Sequence, residues 1–502
     1  MTTPPADGFD LVETTVSDVH AAMAAGDVTC EALVDRYLAR IEAYDDDLGA
    51  VLQVNDGVRQ RARDLDAAFE RDGLVGPLHG VPLLLKDNQD THDMPTTAGS
   101  TALASSTPPR DAFVVERLRA AGAVVLAKTN LQEFAFGVDT VSSLGGATRN
   151  AYDLDRRPSG SSGGTAAAVA ANLGAIGTGS DTCSSVRSPP AFNDLVGVRP
   201  TRGLVSRTGV VPLSETQDTV GPITRTVADA ARMLDVVAGY DPDDPTTARG
   251  ADRVPADGYV SHLDADGLDG ARIGVARQFF GRRDGDDDAD AAAVTAVVED
   301  AIDEMAAAGA TIVDPVEVVD LDRLESARVL QYEFARDFDR YLAGLGDAAP
   351  CESLAAIYET GEVAPSVASR IEDAGILDVD PDEVDGNVDY LQRLRRRRRL
   401  RDDTLSRLVA DDLDALLYPP SRVLPVELPD HQPFSELNCE LAAHTGLPAI
   451  ALPAGFADGL PVGVELLGRA FDEPRLFELA YAFEQATDHR RPPGGFGRLD
   501  RD

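Results

Sequence analysis

The sequence contains no tryptophan, five methionines and, read along its 502 residues, only two lysines, Lys86 and Lys128, so forty-four of its 46 basic residues are arginine. Cysteine is also scarce. Cys30, Cys183, Cys351 and Cys439 lie far apart, with no CxxC pair and no Cys/His ligand spacing. That pattern predicts neither a disulfide framework nor a zinc site, and it suits a reducing cytoplasm. No stretch of about 18 apolar residues occurs, which excludes an apolar membrane-spanning helix. The opening MTTPPADGFDLVETT lacks a basic segment followed by an apolar run, so no export signal is expected. Positive charge is in deficit: 86 acidic residues against 46 basic ones give a formal charge of −40. A field of that sign repels nucleic acid and anionic lipid, so neither a direct nucleic-acid partner nor a membrane is expected. Acidity scattered in this way makes a solvating surface, suited to a salt-rich interior.

What the chain does have is length and apolar content. At 43% hydrophobic over 502 residues it can bury a large core, which disfavours disordered and fibrous classes and allows either two or three units or one large α/β domain. From Val16 to about Val54 apolar residues recur at helical spacing, with Thr29 or Asp27 as N-cap of a second helix, which predicts a helical N-terminal lead-in. The run GVPLLLKDN reads as a buried strand, and AFVVERLRAAGAVVLAKTN as helix, glycine turn and strand; such alternation points to an α/β sheet. Beyond Asp241 the Asp/Gly/Pro-rich segments DPDDPTTARGADRVPADG and RRDGDDDADAAA read as linkers or solvated loops, and the core pattern pauses. Helical stretches follow, ending in the basic run Arg395–Arg399, expected to form a solvated or internally paired helix. From Leu413 short strands return, so both ends of the chain are expected to complete one sheet. No fixed-period repeat suggests a solenoid.

Chemistry concentrates in two small-residue turns and one lysine. In Gly179-Ser-Asp-Thr-Cys-Ser-Ser-Val-Arg187 several backbone N–H groups can converge on one point, as an oxyanion requires, with the Ser185 hydroxyl beside them; an ordinary structural turn is the alternative. Upstream, Gly160-Ser-Ser-Gly-Gly164 opens an alanine-rich helix. It could be an N-cap, and it also matches the GxSxG nucleophile elbow, with Ser162 as nucleophile and His262, His431, His444 or His489 as partners. The preceding DLDRRP is a poor strand for an elbow. Lys86 ends the apolar run Val81–Leu85, where burial would lower its pKa from about 10.4 and make the neutral amine a usable base. Guanidinium is too basic for that task, so a lysine kept in an arginine-rich chain stands out. Lys128 is expected to be structural, paired to Glu133 or to carbonyls. Cys183 is expected to be a small buried filler rather than a thiol nucleophile.

With those residues in view, the sequence resembles the amidase signature family. The segments GVPLLLKDN, PSGSSGGTAAAVA, GSDTCSSVRSPPAF, GVRPTRGLVSRTGVVPLSETQDTVGPITRTVADAA and GLPAIALPAGFADGLPVGVELLG are similar to family segments in the family's order. The resemblance covers roughly residues 60–240 and 405–485. It implies an α/β fold, a single large domain with a mixed central β-sheet covered by helices. The corresponding division is a lead-in over 1–60, a domain over 61–485 (core 61–240 and 405–485, variable pocket insertion about 241–404) and a tail over 486–502.

The resemblance further implies that Ser185 is the nucleophile, Ser161 the bridging serine and Lys86 the base. It implies an oxyanion hole from the backbone N–H groups of Thr182, Cys183, Ser184 and Ser185, with Ser162 steadying the relay and Asp181 and Arg187 bracing the loop. One departure stands out: where the family commonly has Gly-Gly before the nucleophile, this chain has Cys183-Ser184, whose Cβ atoms restrict the turn. No cofactor and no metal are implied. The expected activity is hydrolysis of a small-molecule carboxamide by a free-standing enzyme, with a homodimer plausible. The alternatives are the glutaminase subunit of a tRNA-dependent amidotransferase and a catalytically silent binding protein on the same scaffold.

Overall fold

Five consecutive buried residues, Pro82–Lys86, make the strand β2, and its neighbours explain why it carries no polar face. The computed structural model describes residues 9–286 and 288–499. The outermost residues of the expected lead-in and tail, 1–8 and 500–502, lie outside the described residues. Among the described residues the strands are β1 (Val51–Val54), β2, β3 (Val124–Thr129), β4 (Val141–Ser142), β5 (Gly146–Ala147), β6 (Ile176–Asp181), β7 (Val196–Arg199), β8 (Thr219–Thr224), β9 (Arg272–Val275), β10 (Thr311–Val313), β11 (Ala415–Tyr418), β12 (Ala449–Ala457) and β13 (Leu460–Leu467). All but the small β4–β5 ribbon join one sheet, ordered β1-β3-β2-β6-β8-β7-β12-β13-β11-β9-β10. Pairing is parallel within β3-β2-β6 and within β11-β9-β10, and antiparallel elsewhere. The sheet is therefore mixed, as expected for the α/β class.

Helices cover the sheet: α1 (Val16–Ala25), α2 (Cys30–Leu48), α3 (Val58–Asp72), α4 (Phe113–Ala120), α5 (Gly163–Ala170), α6 (Ser188–Phe192), α7 (Val227–Val237) and α8 (Ala289–Ala307). A second run, α9 (Leu321–Glu325), α10 (Leu330–Leu345), α11 (Leu354–Thr360), α12 (Pro365–Asp373) and α13 (Val388–Ala410), builds a helical wall with its own apolar cluster around Phe334 and Phe338. The chain closes with α14 (Glu440–Thr445) and α15 (Glu473–Thr487). Thr29, rather than Asp27, caps α2, its hydroxyl accepting from the Ala32 N–H at 3.1 Å.

Two expectations are corrected. The helical reading of 16–54 fails at its end, where Val51–Val54 pairs antiparallel with β3 at the sheet edge. A four-residue strand is too short for its period to show against the preceding helix. The core pattern also does not pause throughout 241–404: β9 and β10 extend the same sheet, pairing with β11 from the chain's far end.

Candidate active site

β2 and β6 are adjacent parallel strands, so the residues at their C-terminal ends meet. Lys86 ends β2, Asp181 ends β6, and the turn before α5 packs over both. Close approach is enforced at Gly179, where a Cβ would stand 2.8 Å from the Ser162 hydroxyl and 2.7 Å from Val186.

Lys86, Ser161 and Ser185 come together. Lys86 is fully buried, and its Nζ lies 2.7 Å from Ser161 Oγ and 2.9 Å from Ser180 Oγ, with the Ser180 carbonyl at 3.3 Å. The Gly160–Ser161 peptide is cis, and the Ser161 N–H donates to Ser185 Oγ at 2.9 Å. No hydrogen bond joins the two serine hydroxyls in this conformation. Burial pushes the Lys86 ammonium down to about 7, the carboxylates of Asp181 and Asp218 offsetting part of the effect.

The turn from Thr182 to Ser185 follows. None of its four backbone N–H groups donates to another described residue, although Thr182, Ser184 and Ser185 are buried. Buried N–H groups are almost always paired, so unbonded donors in a turn with three buried residues, beside one hydroxyl, are of the kind that accommodates a ligand oxygen.

The loop is held from behind. Arg187 Nε meets Asp181 Oδ2 at 3.2 Å and Arg187 Nη1 meets Glu465 Oε1 at 2.6 Å, while Tyr418 donates to the same Glu465 oxygen at 2.8 Å. Arg199 pairs with Asp181 as well. Burial raises the Asp181 carboxyl, but the two guanidiniums outweigh it and hold the group below the usual range. Ser162 Oγ reaches the Ser180 carbonyl at 3.3 Å, and no described histidine is bonded to it, so the elbow reading with Ser162 as nucleophile has no partner.

Sequence reasoning missed Ser180, Gln217 and Asp218. Gln217 Nε2 donates to the Thr182 carbonyl at 2.8 Å, and the Thr182 hydroxyl donates to Asp218 at 2.6 Å. Their only signal was position, in the GSDT and SETQDT segments already noted for resemblance.

Two further expectations are corrected. Of the two partners expected for Lys128 the carbonyl is found and Glu133 is not: its Nζ meets the Gln89 carbonyl at 2.8 Å, and also Asp87 Oδ1 at 2.9 Å and Thr96 Oγ1 at 3.2 Å. Cys183 is not an unpaired filler but is disulfide-bonded to Cys439, with S–S 2.07 Å. A separation of 256 residues hides that pair from spacing rules, and only the fold brings α14 against the turn. The inference of a reducing compartment from cysteine spacing loses its support.

A cavity of about 350 Å³ opens beside Ser185. Its walls are largely apolar, from Phe136, Val138, Leu213, Val329, Leu330 and Phe434. The α12 residues Arg370 and Asp373 add charge, and the Arg370 guanidinium has no ion-pair or hydrogen-bond partner among the described residues.

A mixed sheet that brings a buried lysine and a serine turn to the ends of adjacent parallel strands, beneath a second serine turn at a helix start, is the arrangement of an α/β hydrolase. The family model for amidases matches residues 32–477, and the chain belongs to the amidase family. The chain is 37% identical over 506 aligned positions to a glutamyl-tRNA(Gln) amidotransferase subunit of Pseudomonas aeruginosa, covering 97% of this chain and 100% of that protein. Among solved structures, the native peptide amidase of Stenotrophomonas maltophilia superposes with TM-score 0.83 at 37% identity, covering 96% of this chain and 98% of that one. The corresponding glutamyl-tRNA(Gln) amidotransferase subunit of Thermotoga maritima superposes with TM-score 0.74 at 29% identity, covering 97% of each.

Proposed function

We propose that this amidase-family hydrolase is a free-standing enzyme that cleaves carboxamide C–N bonds through an acyl-enzyme on Ser185. The observation that carries the reading is Lys86: fully buried, without a carboxylate in ion-pair range among the described residues, and 2.7 Å from Ser161 Oγ. The neutral amine has a lone pair for the Ser161 proton as Ser161 takes the proton of Ser185. That second transfer needs the Ser185 side chain to turn from the Ser161 N–H toward its hydroxyl when substrate binds, a tightening usual between free and substrate-bound sites.

Ser185 Oγ then bonds to the amide carbon, and the carbonyl oxygen takes up the negative charge facing the N–H groups of Thr182, Cys183, Ser184 and Ser185. As the C–N bond breaks, the relay returns its proton to the departing nitrogen. Water, deprotonated by the same relay, attacks the ester, releases a carboxylic acid and regenerates Ser185. Asp181 and Arg187 brace the turn from behind, and Ser162 steadies the floor through Ser180. All these groups are side chains or backbone of this chain.

The apolar walls suit an acyl group with aliphatic or aryl character, and the superposition on peptide amidase, higher than that on the amidotransferase subunit, supports a free-standing hydrolase. A second reading, the glutaminase subunit of a tRNA-dependent amidotransferase, is favoured by the curated relatives and by one feature of the cavity. Arg370 and Asp373 offer opposite charges that match the α-carboxylate and α-ammonium of glutamine. Ammonia release from a panel of amides that includes free glutamine, compared between the native chain and Ser185→Ala, decides between them. Turnover of non-glutamine amides that vanishes in the variant supports the free-standing enzyme, and glutamine-only turnover replaces it with the glutaminase reading.

A further inference from the structure

The basic run of α13 is not simply a solvated face. Arg397 and Arg398 turn, with Arg401 of the next helical turn, toward Arg202 and Arg249, and the five guanidiniums line a separate cavity of about 310 Å³. None of the five forms an ion pair with a described carboxylate. Their partners are neutral: Arg202 donates to the Glu215 carbonyl at 3.0 Å, Arg397 to the Ala327 carbonyl at 2.9 Å and to Thr216 Oγ1 at 2.8 Å, and Arg401 to the Thr445 carbonyl.

In a chain of net charge −40, five guanidiniums gathered without a carboxylate among them run against composition. The packing is close. A Cβ on Gly446 would stand 2.8 Å from Arg401 Nη2 and 3.3 Å from Arg202 Cβ, so glycine at the end of α14 makes room for both arginines.

Burial, reinforced by neighbouring guanidiniums, lowers three of the five. Burial, then Arg207 and Arg249, pull the Arg202 guanidinium down to about 10; burial, with Arg202 and Arg199, does the same to Arg397. Burial and Arg249 lower Arg401. The opposing carboxylates are Glu333 for Arg202 and Arg397, Glu215 for Arg202 and Asp402 for Arg401, and they compensate incompletely. Glu333 is itself engaged by Ser214, Thr216 and Tyr390. His444, buried and lining the same cavity, has an Nδ1 with no partner and is held neutral by burial and by Arg397 and Arg328.

We propose that this cavity is a binding site for a multiply charged oxyanion of the phosphate class, either inorganic phosphate or a phosphate group on a small molecule. Guanidinium forks pair two-point with tetrahedral oxyanions, and a dianion neutralises several of them at once, which a single chloride does not. The chain's overall field opposes every anion and a polymeric polyanion most, whereas a small dianion would meet chiefly the local field of the five guanidiniums. The site lies directly behind the oxyanion turn: Arg397 also donates to Gln217, whose amide donates to the Thr182 carbonyl, and His444 lines both cavities.

The test is thermal unfolding of the whole chain without amide substrate, titrating potassium phosphate against potassium chloride at equal ionic strength. Adenosine 5′-monophosphate forms a third arm. Binding predicts a saturable rise in Tm with phosphate beyond that with chloride, and its loss in an Arg249→Gln/Arg398→Gln variant. Both arginines are exposed, so that variant is expected to unfold cooperatively with native amide turnover. A larger shift from the ester than from free phosphate places the ligand among phosphorylated small molecules, and the reverse places it as the free ion. No shift beyond chloride, or a shift undiminished in the double variant, overturns the proposal. Because the readout is binding, it stands or falls independently of the amide hydrolysed.

Discussion

Two lysines sit on neighbouring strands of one sheet, both without solvent exposure, and they have been given opposite surroundings. Around Lys128 the fold supplies a carboxylate, a carbonyl and a hydroxyl. Around Lys86 it supplies two serine hydroxyls and a carbonyl, with carboxylates only at a distance. The same side chain is thus ion-paired in one place and, on the proposed mechanism, the proton acceptor in the other. Burial alone does not make a base; burial without a counter-charge does.

Single substitutions separate the two surroundings, beginning with the serine that the Lys86 relay is proposed to activate. In Ser185→Ala, amide turnover measured as ammonia release should fall by about 10⁴-fold or more, the scale on which loss of a nucleophile acts. Lys86→Met should lose about 10²–10⁴-fold in kcat, the reach of a positioned general base, with an unchanged or higher Tm because no carboxylate loses its partner. Lys128→Met should do the reverse. It strands the Asp87 carboxylate in the interior at a cost of about 3–5 kcal/mol, read as a lower Tm, while the folded fraction keeps its turnover.

A pH profile sharpens the same contrast without a mutation. Lys86 must be neutral to accept a proton, and its pKa is lowered to about 7. The kcat/KM should therefore rise with pH through about 7 and level off above it, falling about tenfold per unit on the acid side. A profile flat from pH 6 to 9 would remove the lysine from the reaction. The smallest effect belongs to the cavity wall: Arg370→Ala should raise KM about tenfold for substrates with a carboxylate near the amide, and leave neutral aryl amides unaffected, in steady-state kinetics.

Much of this contrast was legible beforehand. Lys86 stood out because lysine is otherwise nearly absent and it ends an apolar run, and Ser185 because it ends a small-residue turn, whereas Ser161 was singled out only through the family resemblance. Lys128 was expected to meet Glu133 or carbonyls; the Gln89 carbonyl bears out the second alternative, while the carboxylate it pairs with is Asp87, near only through β2–β3 pairing. Ser180, Gln217 and Asp218 were missed because each acts through a contact between segments that no local pattern records. The short strands β1, β9 and β10 carry too few residues for a period to show. The paired cysteines obey no spacing rule at all, because their proximity is a property of the sheet order.

That pairing also has a topological meaning. The bond between Cys183 and Cys439 closes a ring that contains β7 to β11, both Asp-rich loops and the whole helical wall. A protease that nicks an exposed loop once anywhere within 184–438 therefore produces two pieces that remain one molecule until a reductant is added. The nicked protein would run as a single species on a non-reducing gel and as two on a reducing one.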